Sequence, residues 1–398
     1  MLTVAQALAK ILEGTAALTA RPLPLEETPG RRLFQSVTAR ESHPYFANSA
    51  MDGYALGSLD PLARQVGGVA AGEVADFVLH PGECARIFTG APVPEGTVAV
   101  VPQEETEKTA DGIRCLQPLE PGQHVRPAGE HFSQGDELLA PGRLLTAGDV
   151  GIAALLGYPS LLCTPRARVA LIATGDELVE LDQPLGPAQV RNSNIYTMQA
   201  QARACGAEAM RLPIVPDQPE LLRQALEQAL HNADAIVTCG GASVGERDYV
   251  QSVLQEMGAD LQLWKVAMRP GKPLGYAQLG GKPVIALPGN PVSCYVAFEL
   301  FVRPMLDKLQ GGPGLGLTPI EVKLAEEVRK KAGLRFFLRC RLDPDGARLT
   351  GSQASHLFRS VAESDGLLEL PEEITALPKG SVARLLLWPW VNPAAKRG

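Results

Sequence analysis

Four apolar stretches of this chain each run into a short loop rich in glycine, acid or amide, and those loops hold most of its chemistry. Ala235-Ile236-Val237-Thr238-Cys239 opens into Gly240-Gly241-Ala242-Ser243-Val244-Gly245-Glu246-Arg247-Asp248, and Val284-Ile285-Ala286-Leu287 opens into Pro288-Gly289-Asn290-Pro291-Val292-Ser293. Glycine lets a backbone take positive φ and come close to a ligand. Asn290 can cap and Pro291 can start the next helix, whose N–H groups and positive dipole end then face an anion. The other two ends are Thr174-Gly175-Asp176-Glu177 and Pro216-Asp217. Each alone reads as a turn or a helix start. Turns do not require carboxylates at successive strand ends, so the four together read as one site.

Trp264-Lys265-Val266-Ala267-Met268-Arg269-Pro270-Gly271-Lys272-Pro273 adds three cations beside a proline-bounded turn, with a solvated basic strand as the plain alternative. Cations next to Glu177, Asp217 and Asp248 suggest an anionic substrate bridged by a divalent metal such as Mg2+, which prefers oxygen ligands and phosphate. The 6 histidines do not pair at ligand spacing, so a histidine metal site is not expected. Ser243 has no histidine near it in sequence to activate it as a nucleophile.

The elements that must carry these loops follow from periodicity. From residue 166 to 310 the pattern predicts strands over 168–173, 207–215, 235–239 and 283–287, alternating with helices over 192–205, 219–232, 248–257 and 291–309. Continuous apolar strands between helices imply a mostly parallel sheet covered on both faces, whose ligands bind beyond the carboxyl ends of its strands. The fold class is therefore an α/β central domain with a three-layer, mostly parallel sheet, flanked by β-rich N- and C-terminal domains. Thr3 and Gln6 form a capping box before an amphipathic first helix, and residues 147–156 predict another. The domains expected are residues 1–20 with 136–165 as a helical linker domain, 21–135 as a β-rich domain, 166–312 as the α/β domain and 317–398 as a C-terminal β domain.

Bulk properties bound the partners. A net charge of −7 over 398 residues argues against general nucleic-acid binding, and any anion must be held by a local cationic pocket. The 7 cysteines show no CxxC spacing and read as reduced core thiols. The first helix carries Lys10 and Glu13, unlike a signal peptide, and no apolar run reaches about 20 residues, so a cytoplasmic protein without a membrane span is expected.

Along its whole length the chain resembles the MoeA family of molybdopterin molybdenumtransferases, which is related to the gephyrin E domain. The motifs that carry the resemblance are Asn48-Ser49-Ala50-Met51-Asp52-Gly53-Tyr54-Ala55, Phe88-Thr89-Gly90-Ala91-Pro92-Val93-Pro94 with Val100-Val101-Pro102-Gln103-Glu104-Glu105, Thr174-Gly175-Asp176-Glu177-Leu178, Asn192-Ser193-Asn194, Pro270-Gly271-Lys272-Pro273 and the two glycine loops. The resemblance implies a homodimer of elongated multi-domain subunits that uses molybdate and Mg2+ to insert molybdenum into adenylylated molybdopterin, releasing AMP. Its site lies between the α/β domain of one subunit and the Met-Asp-Gly-Tyr domain of the other. Exchange with a molybdopterin adenylyltransferase and with acceptor molybdoenzymes is also implied. The adenylyltransferase activity itself, and a non-catalytic scaffold of the same fold, are the alternatives.

Carried over by position, the resemblance implies catalytic roles for Asp52, Thr89, Glu177, Asp217 and Asp248, with the last three toward the metal. Substrate binding is implied for Gly240, Gly241, Ser243, Gly245, Lys265, Arg269, Lys272, Pro288, Asn290, Pro291, Ser293, Arg339 and Ser355, the last as a molybdate contact. The chain departs from the pattern at four places. Arg269 stands where lysine is common, and Ala354 replaces a frequent glycine. His131 stands for an aspartate. Gly333-Leu334 lacks the pair's arginine, with Arg335 one place late and Arg339 in register.

Overall fold

The computed structural model describes residues 1–241 and 249–392. The chain divides into two compact units: residues 24–27 with 35–161, and residues 1–23, 28–34 and 162 onward. In the first unit a six-stranded sheet runs through β1 (Gly53–Leu56), β2 (Leu62–Val69), β3 (Glu83–Ile87), β4 (Ala99–Pro102), β5 (Thr106–Thr109) and β6 (Gly112–Cys115) in the order β4-β1-β3-β2-β6-β5. Gly53 opens β1 where a Cβ would meet the Val101 carbonyl at 1.8 Å, so the Asp52-Gly53 turn can only be glycine at its second position. Helix Ala147–Leu155 follows behind a Thr146–Asp149 capping box.

The second unit begins with α1 (Val4–Glu13), whose Thr3–Gln6 capping box is formed as expected. Its apolar face of Val4, Ala7 and Ile11 enters the same core as the strands of the α/β domain. That domain contains β7 (Arg168–Ala173), α2 (Ser193–Ala204), β8 (Glu208–Arg211), α3 (Pro219–Asn232), β9 (Ala235–Cys239), α4 (Tyr249–Glu256), β10 (Asp260–Lys265), β11 (Met268–Arg269), β12 (Pro273–Leu279), β13 (Lys282–Leu287), α5 (Pro291–Ala297) and α6 (Arg303–Leu309). Its sheet order is β8-β7-β9-β13-β12-β10, parallel through β13 and antiparallel in the last two strands. β7, β9 and β13 are buried along nearly their whole length, which matches their continuous apolar sequence.

Three elements differ from the expectation. The basic segment is no isolated strand: Lys265 ends β10, Arg269 lies on the two-residue β11, and Lys272 precedes β12. The strand expected over 207–215 stops at Arg211, because Pro213 cannot donate to a ladder. The helix expected over 291–309 is interrupted by a π turn at Phe298–Val302. Pro304 has no N–H to continue an α-helical ladder, and a widened turn relieves the mismatch.

The π turn carries a fully buried acid. Glu299 accepts from Gln201 Nε2 of α2 at 2.8 Å and pairs with Arg303, whose side chain is 10% exposed. Beyond α6, a C-terminal sheet of β14 (Thr318–Lys323), β15 (Arg335–Asp343), β16 (Gly346–Leu349), β17 (Gly366–Leu370) and β18 (Val382–Leu387) takes the order β11-β15-β17-β18-β14, with β16 on β15. β11 therefore ties the α/β domain to this sheet, and Trp388 stacks edge-on against Tyr295 of α5 at 5.1 Å.

Replacing Glu299 by Leu strands a buried guanidinium. The expected loss is about 3–5 kcal/mol, read as a lower midpoint in denaturant unfolding, with most of it restored in Glu299→Leu/Arg303→Met.

Candidate functional site

The parallel strands end flush. Ala173 is in register with Cys239, and Cys239 with Leu287, so the loops after β7, β9 and β13 leave the sheet at one edge. They then meet. Thr174 N–H donates to the Cys239 carbonyl at 3.0 Å, and Gly240 N–H donates to the Leu287 carbonyl at 3.2 Å. Gly240 has φ +92°, and a Cβ there would lie 2.5 Å from the Thr174 carbonyl oxygen. Only glycine permits this approach.

These loops and the start of α2 enclose a cleft of about 500 Å³, lined by Thr174, Glu177, Asn194, Gly240, Gly289 and Asn290 among others. Asn194 closes it as a clamp, since its side-chain N–H group donates to the Gly289 carbonyl at 2.7 Å and to Cys239 Sγ at 3.1 Å. Glu177 is exposed, its carboxylate folded over Gly175, where a Cβ would lie 2.6 Å from Glu177 Oε2. A smaller neighbouring hollow is lined by Asp217 and Gly241 and shares Thr174 with the cleft. Asp176 Oδ1 fixes that neighbour by accepting from Asp217 N–H at 3.0 Å.

The structure therefore brings Glu177, Gly240, Asn290 and Pro291 together in one cleft, with Asp217 and Gly241 beside it. Ser243, Gly245 and Asp248 lie outside the described residues. Lys265, Arg269 and Lys272 are exposed and do not line the cleft; Arg269 lies 5.6 Å from the centre of the Phe336 ring. Pro288 is buried beneath the loop, and its carbonyl accepts from the Cys239 thiol.

Two expectations change in kind. Asn290 stands at the N-cap of α5 but makes no capping bond through its side chain. The N–H of Val292 is instead satisfied by the Ser355 carbonyl at 3.1 Å, which brings the Ser355 loop against the start of α5 while leaving Ser293 buried. Arg339 is fully buried. Its guanidinium donates to Ser360 Oγ at 3.1 Å and to the Ala354 carbonyl at 3.2 Å, and Gln353 brackets its backbone. Burial pulls this guanidinium down to about 10, still charged at neutral pH. Arg339 thus braces the loop that carries Ser355. Arg335 is paired with Glu369 and Glu372, and Lys330 Nζ holds the Leu334 carbonyl at 3.0 Å. His131 packs on Phe132, with ring centres 4.9 Å apart.

In the other unit Asp52 and Thr89 are joined. Asp52 Oδ1 accepts from both Thr89 N–H and Thr89 Oγ1 at 2.7 Å, and these bonds hold the exposed carboxyl below its ordinary range.

Asn192-Ser193-Asn194 belongs to the motifs of the resemblance but not to its assigned site residues. All three residues line the cleft. The available signal was three consecutive short polar residues at a helix start facing the strand ends.

Residues 2–157 match the family description "MoeA N-terminal region (domain I and II)", residues 170–308 "Probable molybdopterin binding domain", and residues 321–388 "MoeA C-terminal region (domain IV)". A Mycobacterium tuberculosis protein named molybdopterin molybdenumtransferase 2 is 35% identical over 389 residues, covering 92% of this chain and 95% of that protein. The molybdopterin molybdenumtransferase of a Nostoc species is 36% identical over 379 residues, covering 90% and 87%. A crystal structure described as the molybdopterin biosynthesis MoeA protein of Pyrococcus horikoshii aligns with a TM-score of 0.84 at 28% identity, over 97% of this chain and 99% of that one.

Gly240→Ala is expected to lower the unfolding midpoint by the equivalent of about 1–3 kcal/mol and to alter the amide spectrum around Thr174. A carbon-detected NMR titration should place the Asp52 midpoint below that of an ordinary aspartate. Thr89→Val removes one donor and should raise that midpoint, leaving the backbone bond to hold the remainder of the shift.

Proposed function

The chain belongs to the MoeA family, and from that premise we propose that it is a molybdopterin molybdenumtransferase that inserts molybdenum from molybdate into adenylylated molybdopterin and releases AMP. One observation carries the reading: the N-terminal, molybdopterin-binding and C-terminal regions occur together and in order, over nearly the full length of relatives bearing that name. An adenylyltransferase of this fold would need only the central region.

The chemistry supports this assignment. The reaction joins anions to anions, so the protein must offset repulsion by fixed dipoles and local charge, since its net charge is −7. The cleft supplies a rigid wall of backbone and amide, with Asn194 setting the spacing between the loops after β9 and β13. Lys265, Arg269 and Lys272 supply exposed cations on the neighbouring hairpin. Ser355 is the proposed molybdate contact, held by the loop that Arg339 braces. Asp52, held as a carboxylate by Thr89, is the proposed catalytic group of its own unit.

The donor chemistry fits Mg2+. Glu177 and Asp217 present hard carboxylate oxygens on the loops after two adjacent strands, and no cluster of three metal-binding side chains exists among the described residues. That set suits a magnesium ion that takes one or two carboxylates and completes its shell with substrate phosphate and water. Glu177 and Asp217 would hold it, with Asp248 as the third candidate, and it would neutralise charge on the phosphoanhydride. The proposed working state is a cytoplasmic homodimer that receives substrate from a molybdopterin adenylyltransferase and passes product to acceptor molybdoenzymes.

Purified protein supplied with adenylylated molybdopterin, molybdate and Mg2+ should release AMP and activate an apo-molybdoenzyme; absence of both overturns the reading. In the same assay Asp248→Asn should lose metal-dependent AMP release while pterin binding stays measurable. Unchanged turnover in that variant removes Asp248 from the metal set.

A further inference from the structure

The cleft has a sulfur floor that the reaction above does not use. Cys239 ends β9 and lines the cleft, and Cys294 lies in α5, within the same core. The two thiols are in hydrogen-bond contact, and both residues are almost wholly buried. Asn194 Nδ2 also donates to Cys239 Sγ at 3.1 Å, so an N–H and an S–H both converge on this one sulfur. The same amide group holds the Gly289 carbonyl, which links the state of the sulfur to the clamp across the cleft.

The other cysteines differ. All 7 are unpaired thiols, but Cys84, Cys205 and Cys340 are pushed by burial to about 12 and Cys163 to about 11, and none of these lines the cleft. Such thiols are poor nucleophiles at neutral pH. Cys239 alone combines an opening to the cleft with a second thiol within reach.

We infer that Cys239 and Cys294 form a dithiol modification site that a hydroperoxide closes to a disulfide, disabling the cleft reversibly. The Cys239 thiolate attacks one peroxide oxygen, the O–O bond breaks, and the departing alkoxide or hydroxide takes a proton to leave as alcohol or water. Cys239 is then a sulfenic acid, oxidised by two electrons. The Cys294 sulfur attacks that sulfenic sulfur, the S–O bond breaks, and the hydroxyl leaves with the Cys294 proton as water. In the disulfide, Cys239 Sγ is drawn toward α5 and away from Asn194 Nδ2. The clamp loses one of its two anchors, and the wall between Gly240 and Gly289 shifts.

The full-length protein treated with hydrogen peroxide, then denatured and titrated for thiols, should lose two of its seven. Peptide mass spectrometry should find Cys239 linked to Cys294, and dithiothreitol should return the full count. Cys294→Ala should stop at a sulfenic acid on Cys239, captured by dimedone. A constant thiol count, or a bridge formed instead between Cys84 and Cys115, overturns the proposal. These readouts do not depend on the assigned reaction. Where AMP release is measured, the bridged protein should be slower by on the order of 10- to 100-fold, the loss expected when a site wall moves by about 1 Å; full activity in the bridged form overturns the disabling role.

Discussion

The site depends on a close approach between backbones. β7, β9 and β13 end at the same level, so their loops leave the sheet together and must pass one another. Gly240 accepts this crowding because it has no Cβ and can hold φ at +92° against the Thr174 carbonyl. Asn194 then bridges the Cys239 sulfur and the Gly289 carbonyl, so the start of α2 fixes how far the second and third loops stand apart. The cleft is the space left by that arrangement. Its shape is set by main-chain geometry and one amide, more than by the acids at its rim.

Buried polar ties carry this constraint into the body of the unit. α2 and α5 both begin at the cleft, and Gln201 holds them together further along by donating to the Tyr295 carbonyl at 3.2 Å and to Glu299 at 2.8 Å. Arg303 completes that group, and the π turn supplies the extra backbone needed to seat Pro304 beside it. The C-terminal sheet enters by another route. Arg339 holds the carbonyl side of the 352–354 loop, and the next residue, Ser355, receives the Val292 N–H that α5 would otherwise leave open. A helix start usually offered to a ligand is thus partly occupied by the protein's own loop.

Much of the framework was legible because its signals are local. β7, β9, α3 and the Thr3–Gln6 cap lie where periodicity and capping chemistry put them. Glu177, Asp217, Gly240 and Asn290 were visible as unusual groups after apolar strands, and the sheet topology explains why they share an edge. What was missed depends on distant partners. Asn194 gains meaning only when Gly289, 95 positions later, arrives beside it. Arg339 is held by the carbonyls of the 352–354 loop, whose path no periodicity reveals. The π turn reflects a conflict between Pro304 and an otherwise continuous helical pattern, and a pattern does not show how the backbone resolves it.

The most direct test is a crystal structure of this chain soaked with adenylylated molybdopterin. Density for the ligand is expected in the cleft bounded by Thr174, Asn194, Gly240 and Gly289, with its phosphates on the side of Glu177 and Asp217. Ordered ligand elsewhere on the α/β domain, with that cleft filled only by solvent, would contradict it.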